Sequence, residues 1–407
     1  MASSMLYCQY FRHRFRRVCG LLLILCGWST IIAADTNPLE PEVAELIFPL
    51  DQQHNHAPSI VQYPNHDVFV CWYRGSGERT ADDVAIMGSW KLANEDNWSK
   101  PRVMADQQGF PDCNTSMHLS ASGKLFLFWP TIIANSWESC ITRYKTAKSF
   151  DPETGPEWSS EGLILLKPDD FAQQAEAAIE QTLKQLPQPL PEPLQAELQQ
   201  ARVRLGQKLY QRLGWQPRCK PTTLPSGRIL LPLYTDTFSA SIMAISDDDG
   251  GSWYASQPII GLGNIQPTVL RRNDGTLVAY MRENGMTERI RLSESKDDGM
   301  TWSAVNSSQL PNSGAGIDGV RLSNGQWVMV YNDTTEGRNS LAVSLSDDEG
   351  KSWKWTRHLE RAERGSFHYP AVIQGADGKI HVVYSYFTDG GKSMKYVRFD
   401  PSRLQQD

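Results

Sequence analysis

The apolar residues of this chain recur in short runs, and each run follows a tight-turn dipeptide. The runs are partly β-branched, as in Ile380-His381-Val382-Val383-Tyr384. A second apolar run precedes each dipeptide, so each unit has the pattern of a β-hairpin. The dipeptides are Asn65-His66, Ser122-Gly123, Ser226-Gly227, Asp274-Gly275, Asn324-Gly325 and Asp377-Gly378. Six hairpins predict six sheet units.

An eight-residue pattern marks three of these units. It reads Ser-x-Asp-x-Gly-x-Ser/Thr-Trp and begins at Ser246, Ser295 and Ser346, at intervals of 49 and 51 residues. The pattern combines a carboxylate that bonds back to the backbone, a glycine for a left-handed conformation and a tryptophan to bury. Such an interval is typical of repeat architectures. One hairpin and one such turn per interval predict four-stranded blades in an all-β, six-bladed β-propeller.

Two segments depart from this repeat. The sixth unit has no copy of the turn, so we expect the N-terminal strand that includes Val43 to complete the last blade and remove an exposed strand edge. Residues 168–215 are rich in Ala, Gln, Glu and Leu at helical spacing, and prolines interrupt them. They predict an inserted α-helical hairpin, either a structural ornament or a lid.

The N-terminus has the three parts of a secretory signal. Arginines precede an apolar run from Val18 to Ile32, and the small residues Ala33 and Ala34 follow it. We therefore expect residues 1–34 to be removed on export, leaving a propeller of residues 35–407 that is secreted or periplasmic. An uncleaved anchor is the alternative, although the run is short for a membrane span.

Composition and charge restrict the partners. The chain has 407 residues and a net charge of −6, with no long basic run in its body, which argues against nucleic acid as a partner. Cys71, Cys113, Cys140 and Cys219 remain after the signal and permit disulfides without requiring them. No paired Cys or His spacing indicates a metal ion, and no cofactor is implied.

The aspartate-rich turns resemble the Asp boxes of the sialidase (neuraminidase) superfamily, and the resemblance covers nearly the whole mature chain. Asp boxes lie on the outside of the blades, so they indicate the fold and not the chemistry. The resemblance implies three arginines that hold a substrate carboxylate, an aspartate acid/base, and a tyrosine nucleophile assisted by a glutamate. Guanidinium groups bind a carboxylate bidentately, and a neutral nucleophile does not repel it.

Several residues match this family pattern. Tyr369, which lies eight residues before the turn of the last unit, resembles the nucleophile. Arg282 and Arg338 resemble two of the carboxylate-binding arginines and lie in the expected units. Asp83 lies where the acid/base is expected, with Asp82 as the alternative, and such an acid needs a pKa raised by burial.

Two positions depart from the family pattern. His56, in His56-Ala57-Pro58, lies where sialidases have an arginine, and Gln266 lies where they have the glutamate. Gln266 cannot act as a base. His56 has three interpretations, as an acid/base, as a hydrogen-bond donor to a sugar oxygen, or as a structural histidine.

The departures have a pattern of their own. One set of positions resembles the bacterial BNR repeat-like, sialidase-related branch of the superfamily. These positions are His56-Ala57-Pro58, Asp83, Asn114, Asp318 and Tyr369-Pro370. Asn114, Asp318 and His368 fall at the starts of inner strands, which in a propeller project toward the axial pocket. We therefore include these three residues and Gln266 among the candidates for substrate binding.

The resemblance implies an exported glycoside hydrolase that removes a terminal, acidic sugar from a glycan or oligosaccharide by a retaining mechanism. Tyr369 is then the nucleophile, Asp83 the acid/base, Arg282 and Arg338 the carboxylate clamp, and His56 a substitute for the missing arginine. Two alternatives stay open. One is a glycan-binding propeller without turnover, and the other is a glycosidase or lyase for a different sugar with His56 as acid/base.

Overall fold

Each predicted hairpin forms two neighbouring strands of a four-stranded antiparallel sheet, and six such sheets make a six-bladed β-propeller. The computed structural model describes residues 37–184, 188–261 and 263–406. The predicted signal, residues 1–34, lies outside the described residues. The prediction of an all-β propeller of four-stranded blades is confirmed.

The strands of the first part of the chain, in order, are β1 (Val43–Leu46), β2 (His54–Gln62), β3 (Val68–Gly75), β4 (Ala85–Lys91), β5 (Arg102–Ala105), β6 (Ser116–Leu119), β7 (Leu125–Ile132), β8 (Cys140–Asp151) and β9 (Gly155–Leu163). Those that follow are β10 (Gln216–Pro217), β11 (Thr222–Thr223), β12 (Ile229–Thr235), β13 (Ala240–Ser246), β14 (Tyr254–Ala255), β15 (Asn264–Arg271), β16 (Leu277–Glu283), β17 (Arg289–Ser295), β18 (Asn306–Pro311), β19 (Asp318–Arg321), β20 (Trp327–Tyr331), β21 (Ser340–Ser346), β22 (Trp355–Arg361), β23 (Ser366–Gln374), β24 (Ile380–Thr388) and β25 (Gly391–Phe399). Short 3₁₀ turns lie at Trp137–Ser139 and Pro401–Leu404.

The blades follow one another along the chain, and the last blade joins the two ends of the described chain. They consist of β2–β5, β6–β9, β10–β14, β15–β18, β19–β22, and β23–β25 with β1. First strands of neighbouring blades contact one another, as β2 contacts both β6 and β23, so they surround the propeller axis. β1 pairs antiparallel with β25, with Val43 opposite Arg398. The prediction that the N-terminal strand completes the last blade is confirmed.

Apolar side chains fill the spaces between successive blades. Phe69 and Trp90 of the first blade pack with Met117 and Leu127 of the second, and equivalent clusters lie between the other blades. A strand between two such clusters is buried on both faces, which explains the continuous apolar runs in the sequence. All eight residues of β7 are buried.

The three Asp boxes form hydrogen-bonded turns at the outer ends of their blades. Asp348 accepts hydrogen bonds from the backbone N–H and hydroxyl of Ser352 and from the hydroxyl of Ser346. Gly350, at φ +81°, donates its N–H to Ser346. The boxes that contain Asp248 and Asp297 repeat this pattern. Their aspartates therefore stabilise turns.

The inserted segment is helical, as predicted, but it has a third short helix. Its helices are α1 (Phe171–Leu183), α2 (Glu192–Leu205) and α3 (Lys208–Arg212). Phe171 of α1 packs edge-on against Trp215, with ring centroids 5.8 Å apart, and against Phe238 at 5.3 Å. The insertion is thus anchored between the second and third blades. None of the helices in the described part of the chain is long and apolar enough to cross a membrane.

The turn of the last Asp box provides a stability test. Asp348 accepts hydrogen bonds that hold its pKa near 2, although its partial burial acts in the opposite direction. Replacement by alanine, Asp348→Ala, is expected to lower the free energy of unfolding at pH 7 by about 1–3 kcal/mol, since it removes bonds to a charged acceptor. Because the folded pKa is depressed, this contribution is present above the unfolded pKa of about 4 and is lost as pH falls toward 2.

Asp347 is the matched control for this measurement. Its exposed carboxylate makes a surface ion pair with Lys354 at 2.6 Å, so Asp347→Ala is expected to cost less than about 1 kcal/mol. Denaturant unfolding of both variants at pH 7 and pH 3 separates the two effects. Equal losses at pH 7 would contradict the assigned role of the box.

Candidate active site

Three inner strands carry the same bulge immediately before a proline. In β2, β15 and β23 the pairing register with the next strand shifts at Ala57-Pro58, Gln266-Pro267 and Tyr369-Pro370. Ala57, Gln266 and Tyr369 have φ values of +52°, +55° and +55°. A bulge inserts an unpaired residue and re-aims side chains, and such left-handed non-glycine residues are typical of functional sites.

Tyr369 lies at the centre of the site that these strands form. Its hydroxyl oxygen accepts a hydrogen bond of 2.8 Å from Nη1 of Arg282 and one of 3.2 Å from Nε2 of Gln266. Gly316 lies beside the ring, where an added Cβ would be 3.4 Å from the tyrosine and 3.2 Å from Gln266. An added methyl group would therefore touch the tyrosine ring and press on the Gln266 amide oxygen.

Three guanidinium groups surround the Tyr369 ring. The Cζ atoms of Arg218, Arg338 and Arg282 lie 5.0, 5.6 and 5.9 Å from the ring centroid. Among the described residues, none of the three forms an ion pair with a carboxylate within 4.0 Å. We refer to Tyr369, Arg218, Arg282, Arg338 and Gln266 as the tyrosine cluster. It concentrates positive charge around one hydroxyl group.

The three arginines differ in their access to solvent. Arg218 is 1% exposed and donates from Nη2 to the carbonyl oxygen of Pro370 at 2.5 Å. Arg282 and Arg338 are only half-buried. Burial lowers the pKa of Arg282, but the neighbouring Tyr369, Tyr234 and Asp236 raise it. The resulting pKa lies above that of an ordinary arginine. Burial and the charge of Arg282 lower the pKa of Arg338. Arg282 and Arg338 are therefore the ones that a ligand can reach.

Histidines cover one side of the Tyr369 ring. The His56 ring centroid lies 4.2 Å from that of Tyr369 and 4.7 Å from that of His368. Burial lowers the pKa of both histidines well below the ordinary value, and the neighbouring histidines and arginines lower it further. Both imidazoles are therefore neutral at neutral pH, so His56 does not replace the charge of an arginine.

Ser385 orients the His56 ring. Its hydroxyl oxygen accepts the backbone N–H of Ala57 at 3.2 Å and lies 2.9 Å from Nδ1 of His56. When the hydroxyl donates to Nδ1, the His56 proton lies on Nε2, where it is available as a donor.

Neutral polar side chains connect the tyrosine cluster to the second and third blades. The Tyr234 hydroxyl accepts hydrogen bonds from Gln266 at 3.2 Å and from Asn114 at 3.1 Å. Asn114 also donates to Gln216 at 3.0 Å, and Gln216 donates to Asp236 at 2.9 Å. Burial and the charge of Asp236 raise the pKa of Tyr234 well above its ordinary value. This network holds Gln266 and Asn114 in fixed orientations.

Asp83 and Asp318 lie outside these contacts. Asp83 is exposed, and its carboxylate accepts hydrogen bonds from the backbone N–H and hydroxyl of Ser76. Asp318 is fully buried, and it accepts hydrogen bonds from Lys220, Thr268 and the backbone of Val372. In the described residues neither aspartate contacts the tyrosine cluster. Asp83 holds a turn in this structure, and Asp318 ties inner strands together.

Arg218, Tyr234 and Asp236 also belong to these contacts, although the sequence patterns above do not indicate them. Arg218 precedes Ser226 by eight residues, just as Tyr369 precedes Asp377. The same spacing before the other hairpin turns selects Ala57, Asn114, Gln266 and Gly316. Applied to all six units, this spacing would have found Arg218. No comparable signal exists for Tyr234 or Asp236, whose roles depend on contacts between blades.

The charge of the arrangement favours anions, and its side chains do not form a metal site among the described residues. In the described part of the chain, no group of three or more His, Cys, Asp or Glu side chains could hold a metal ion. The four cysteines after the signal are buried free thiols, so the permitted disulfides do not form in this structure. Two accessible guanidinium groups, a neutral imidazole donor and a tyrosine hydroxyl converge instead.

Part of the chain matches a known family model. Residues 213–382 match the BNR repeat-like domain. The match includes the three Asp boxes, Arg218, Gln266, Arg282, Arg338 and Tyr369, but it excludes His56 and the first two blades.

Solved structures share the fold over most of the chain. A protein of unknown function from Dyadobacter fermentans is 14% identical, with a TM-score of 0.65 over 88% of this chain and 98% of that one. The NanB sialidase from Streptococcus pneumoniae is 13% identical, with a TM-score of 0.64 over 91% and 71%. The intramolecular trans-sialidase from Ruminococcus gnavus is 11% identical, with a TM-score of 0.63 over 88% and 96%. The predicted resemblance to sialidase-related BNR propellers is confirmed, and identities this low establish the fold alone.

The neutral state of His56 has a measurable effect on stability. The pKa of His56 is lower in the folded than in the unfolded chain, so as pH falls the unfolded chain is protonated at this residue first. The free energy of unfolding therefore falls as pH drops below the pKa of the unfolded chain. From pH 6.5 to pH 5, one such histidine accounts for a loss of up to about 2 kcal/mol. His56→Gln is expected to reduce the acid-induced loss by that amount in denaturant titrations at pH 7 and pH 5.

His66 provides the control, because it is an exposed histidine in a turn. His66→Gln is expected to leave the difference between the two pH values unchanged. A His56→Gln protein with the acid sensitivity of the wild type would show that His56 is not kept neutral by its surroundings.

Proposed function

We propose that this protein is a glycoside hydrolase that removes a terminal acidic sugar from a glycan, with Tyr369 as nucleophile and a retaining outcome. The observation that carries the proposal is the set of guanidinium groups around Tyr369, none of which has a carboxylate partner within 4.0 Å among the described residues. Accessible cations without counter-ions favour an anionic ligand. A sugar carboxylate fits this requirement.

The contacts of the tyrosine hydroxyl support the nucleophile role. Arg282 donates to that oxygen at 2.8 Å, so it stabilises negative charge there as the phenol loses its proton. Tyr369 itself is uncharged before reaction, so it does not repel an anionic sugar. Gln266 orients the hydroxyl through its own hydrogen bond but cannot accept a proton as a glutamate would.

His56 has a binding role in this proposal. The neutral His56 imidazole lies beside Tyr369, and with the Ser385 hydroxyl donating to Nδ1 it presents Nε2–H as a donor. A donor of this kind suits a ring oxygen, a hydroxyl or one oxygen of the carboxylate. Arg338, which is half-buried, supplies the second accessible charge of the clamp beside Arg282.

A glycan-binding propeller without turnover is the second candidate, and Gln266 is the observation that favours it. An amide in contact with the tyrosine hydroxyl supports binding as well as a carboxylate does, but it removes the expected base. We further propose that the protein acts outside the cytoplasm after export directed by residues 1–34, on the basis of their arginine-rich, apolar and small-residue order.

Release of a fluorescent aglycone tests the hydrolase proposal. The wild-type protein is expected to release 4-methylumbelliferone from its sialoside or from a glycoside of another acidic sugar, in preference to neutral glycosides. Tyr369→Phe is expected to lower kcat by about a thousandfold or more, since it removes the nucleophilic oxygen. The control is Tyr254→Phe, an exposed tyrosine at an outer blade edge, which is expected to retain full activity.

Binding measurements on the same proteins separate the two candidates. Arg338→Gln is expected to weaken binding of the acidic sugar about tenfold to a hundredfold and to leave neutral sugars unaffected. If the wild-type protein binds an acidic glycan but cleaves no glycoside of the panel, the glycan-binding function is favoured over the hydrolase function.

A further inference from the structure

We propose that Asp236, and not Asp83, is the general acid of this site and protonates the oxygen of the leaving group. The proposal rests on the hydrolase function proposed above. Asp236 lies immediately after β12, at the same end of the third blade as Tyr234. A chain of hydrogen bonds connects its carboxylate through Gln216, Asn114 and Tyr234 to Gln266 of the tyrosine cluster.

One carboxylate oxygen of Asp236 is held and the other is available. Oδ2 accepts the Nε2–H of the fully buried Gln216 at 2.9 Å. Oδ1 has no hydrogen-bond partner among the described residues, and Asp236 is half-buried. By contrast, both oxygens of Asp83 accept hydrogen bonds from Ser76. A general acid needs one orienting contact and one accessible oxygen, and Asp236 has both.

The charges around Asp236 balance in favour of the protonated form. Burial raises its pKa to about 6, Glu138 and Glu78 act in the same direction, and Arg282 and Arg79 act against it. These groups come from the loop after β3, the 3₁₀ turn Trp137–Ser139 and the end of β16. The carboxyl group thus holds its proton in mildly acidic solution, where an exposed aspartate is ionised.

The insertion fixes the loop that carries Asp236. Phe238, two residues further on, packs against Phe171 of α1 with ring centroids 5.3 Å apart. Gly214, just before Trp215, approaches Glu138 and Thr235 so closely that an added Cβ would be 3.3 Å from each. The helices therefore support the loop on which the proposed general acid lies.

The reaction balances with these residues and water. In the first step the bond between the anomeric carbon and the Tyr369 oxygen forms, and the glycosidic carbon–oxygen bond breaks. The leaving oxygen takes the proton of Asp236, and the phenol proton passes to solvent water. In the second step water attacks the anomeric carbon and returns a proton to Asp236, while the departing Tyr369 oxygen takes one from solvent. Both residues regain their starting forms.

Leaving groups of different acidity test this assignment. Asp236→Asn keeps the shape and the acceptor for Gln216 but removes the transferable proton. Cleavage of an acidic glycoside with an alkyl or sugar aglycone is expected to fall about a hundredfold to a thousandfold. Cleavage of the 4-methylumbelliferyl glycoside, whose aglycone leaves without protonation, is expected to fall less than about tenfold. The wild-type rate on the alkyl glycoside is expected to decline as pH rises through about 6, and the variant is expected to lack this decline.

Asp83→Asn and Asp236→Glu complete the experiment. Asp83→Asn is expected to retain the wild-type rates and pH profile, and Asp236→Glu to restore the decline at high pH and part of the alkyl-glycoside rate. Two outcomes would overturn the role of Asp236 and leave the hydrolase proposal intact. One is that Asp236→Asn loses equal activity on both aglycones and keeps the wild-type pH profile. The other is that Asp83→Asn, and not Asp236→Asn, shows the dependence on the leaving group. A wild-type protein that cleaves no acidic glycoside would overturn both.

Discussion

The antiparallel pairing of β1 with β25 is the contact on which the rest of the propeller depends. It joins Val43 to Arg398 and so closes the ring of six blades. A closed ring fixes where the inner strands meet, because each blade is packed between two neighbours by a separate apolar cluster. The axial site draws its side chains from all six blades, so it has its geometry only in the closed ring.

Within the closed ring, backbone strain and polar contacts decide which side chains reach the axis. The x-Pro bulges place Gln266 and Tyr369 in left-handed conformations that cost free energy for residues other than glycine. Hydrogen bonds from Arg282 and Gln266 to the same hydroxyl act against this cost. The strained residues are thus the ones whose contacts define the site. Backbone strain of this kind is concentrated at functional sites in proteins.

Repetition explains how much of this the sequence predicts. Turn dipeptides, Asp boxes and their interval determine the blades, since each is local and recurs. Tyr369, Arg282 and Arg338 were found by counting from those turns, and the structure brings them together. Arg218 has the same eight-residue spacing before its hairpin turn as Tyr369, but it follows the helical insertion, which interrupts the repeat. The contacts of Asp83 could not be predicted from the repeats, because its hydrogen bonds with Ser76 depend on the conformation of one loop.

The replacement of the expected glutamate by Gln266 changes the electrostatics of the whole site. A carboxylate there would partly neutralise Arg282 and Arg218, whereas an amide leaves the three guanidinium groups around Tyr369 without an adjacent counter-ion at this position. Such a site attracts an anion more strongly and stabilises charge on the tyrosine oxygen without a base beside it. Asp236, a partly buried carboxylate, lies in the third blade, where it accepts a hydrogen bond from Gln216. In the proposed mechanism, the arginines around Tyr369 hold the charge of the substrate, and Asp236, whose pKa burial raises to about 6, transfers the proton from another part of the site.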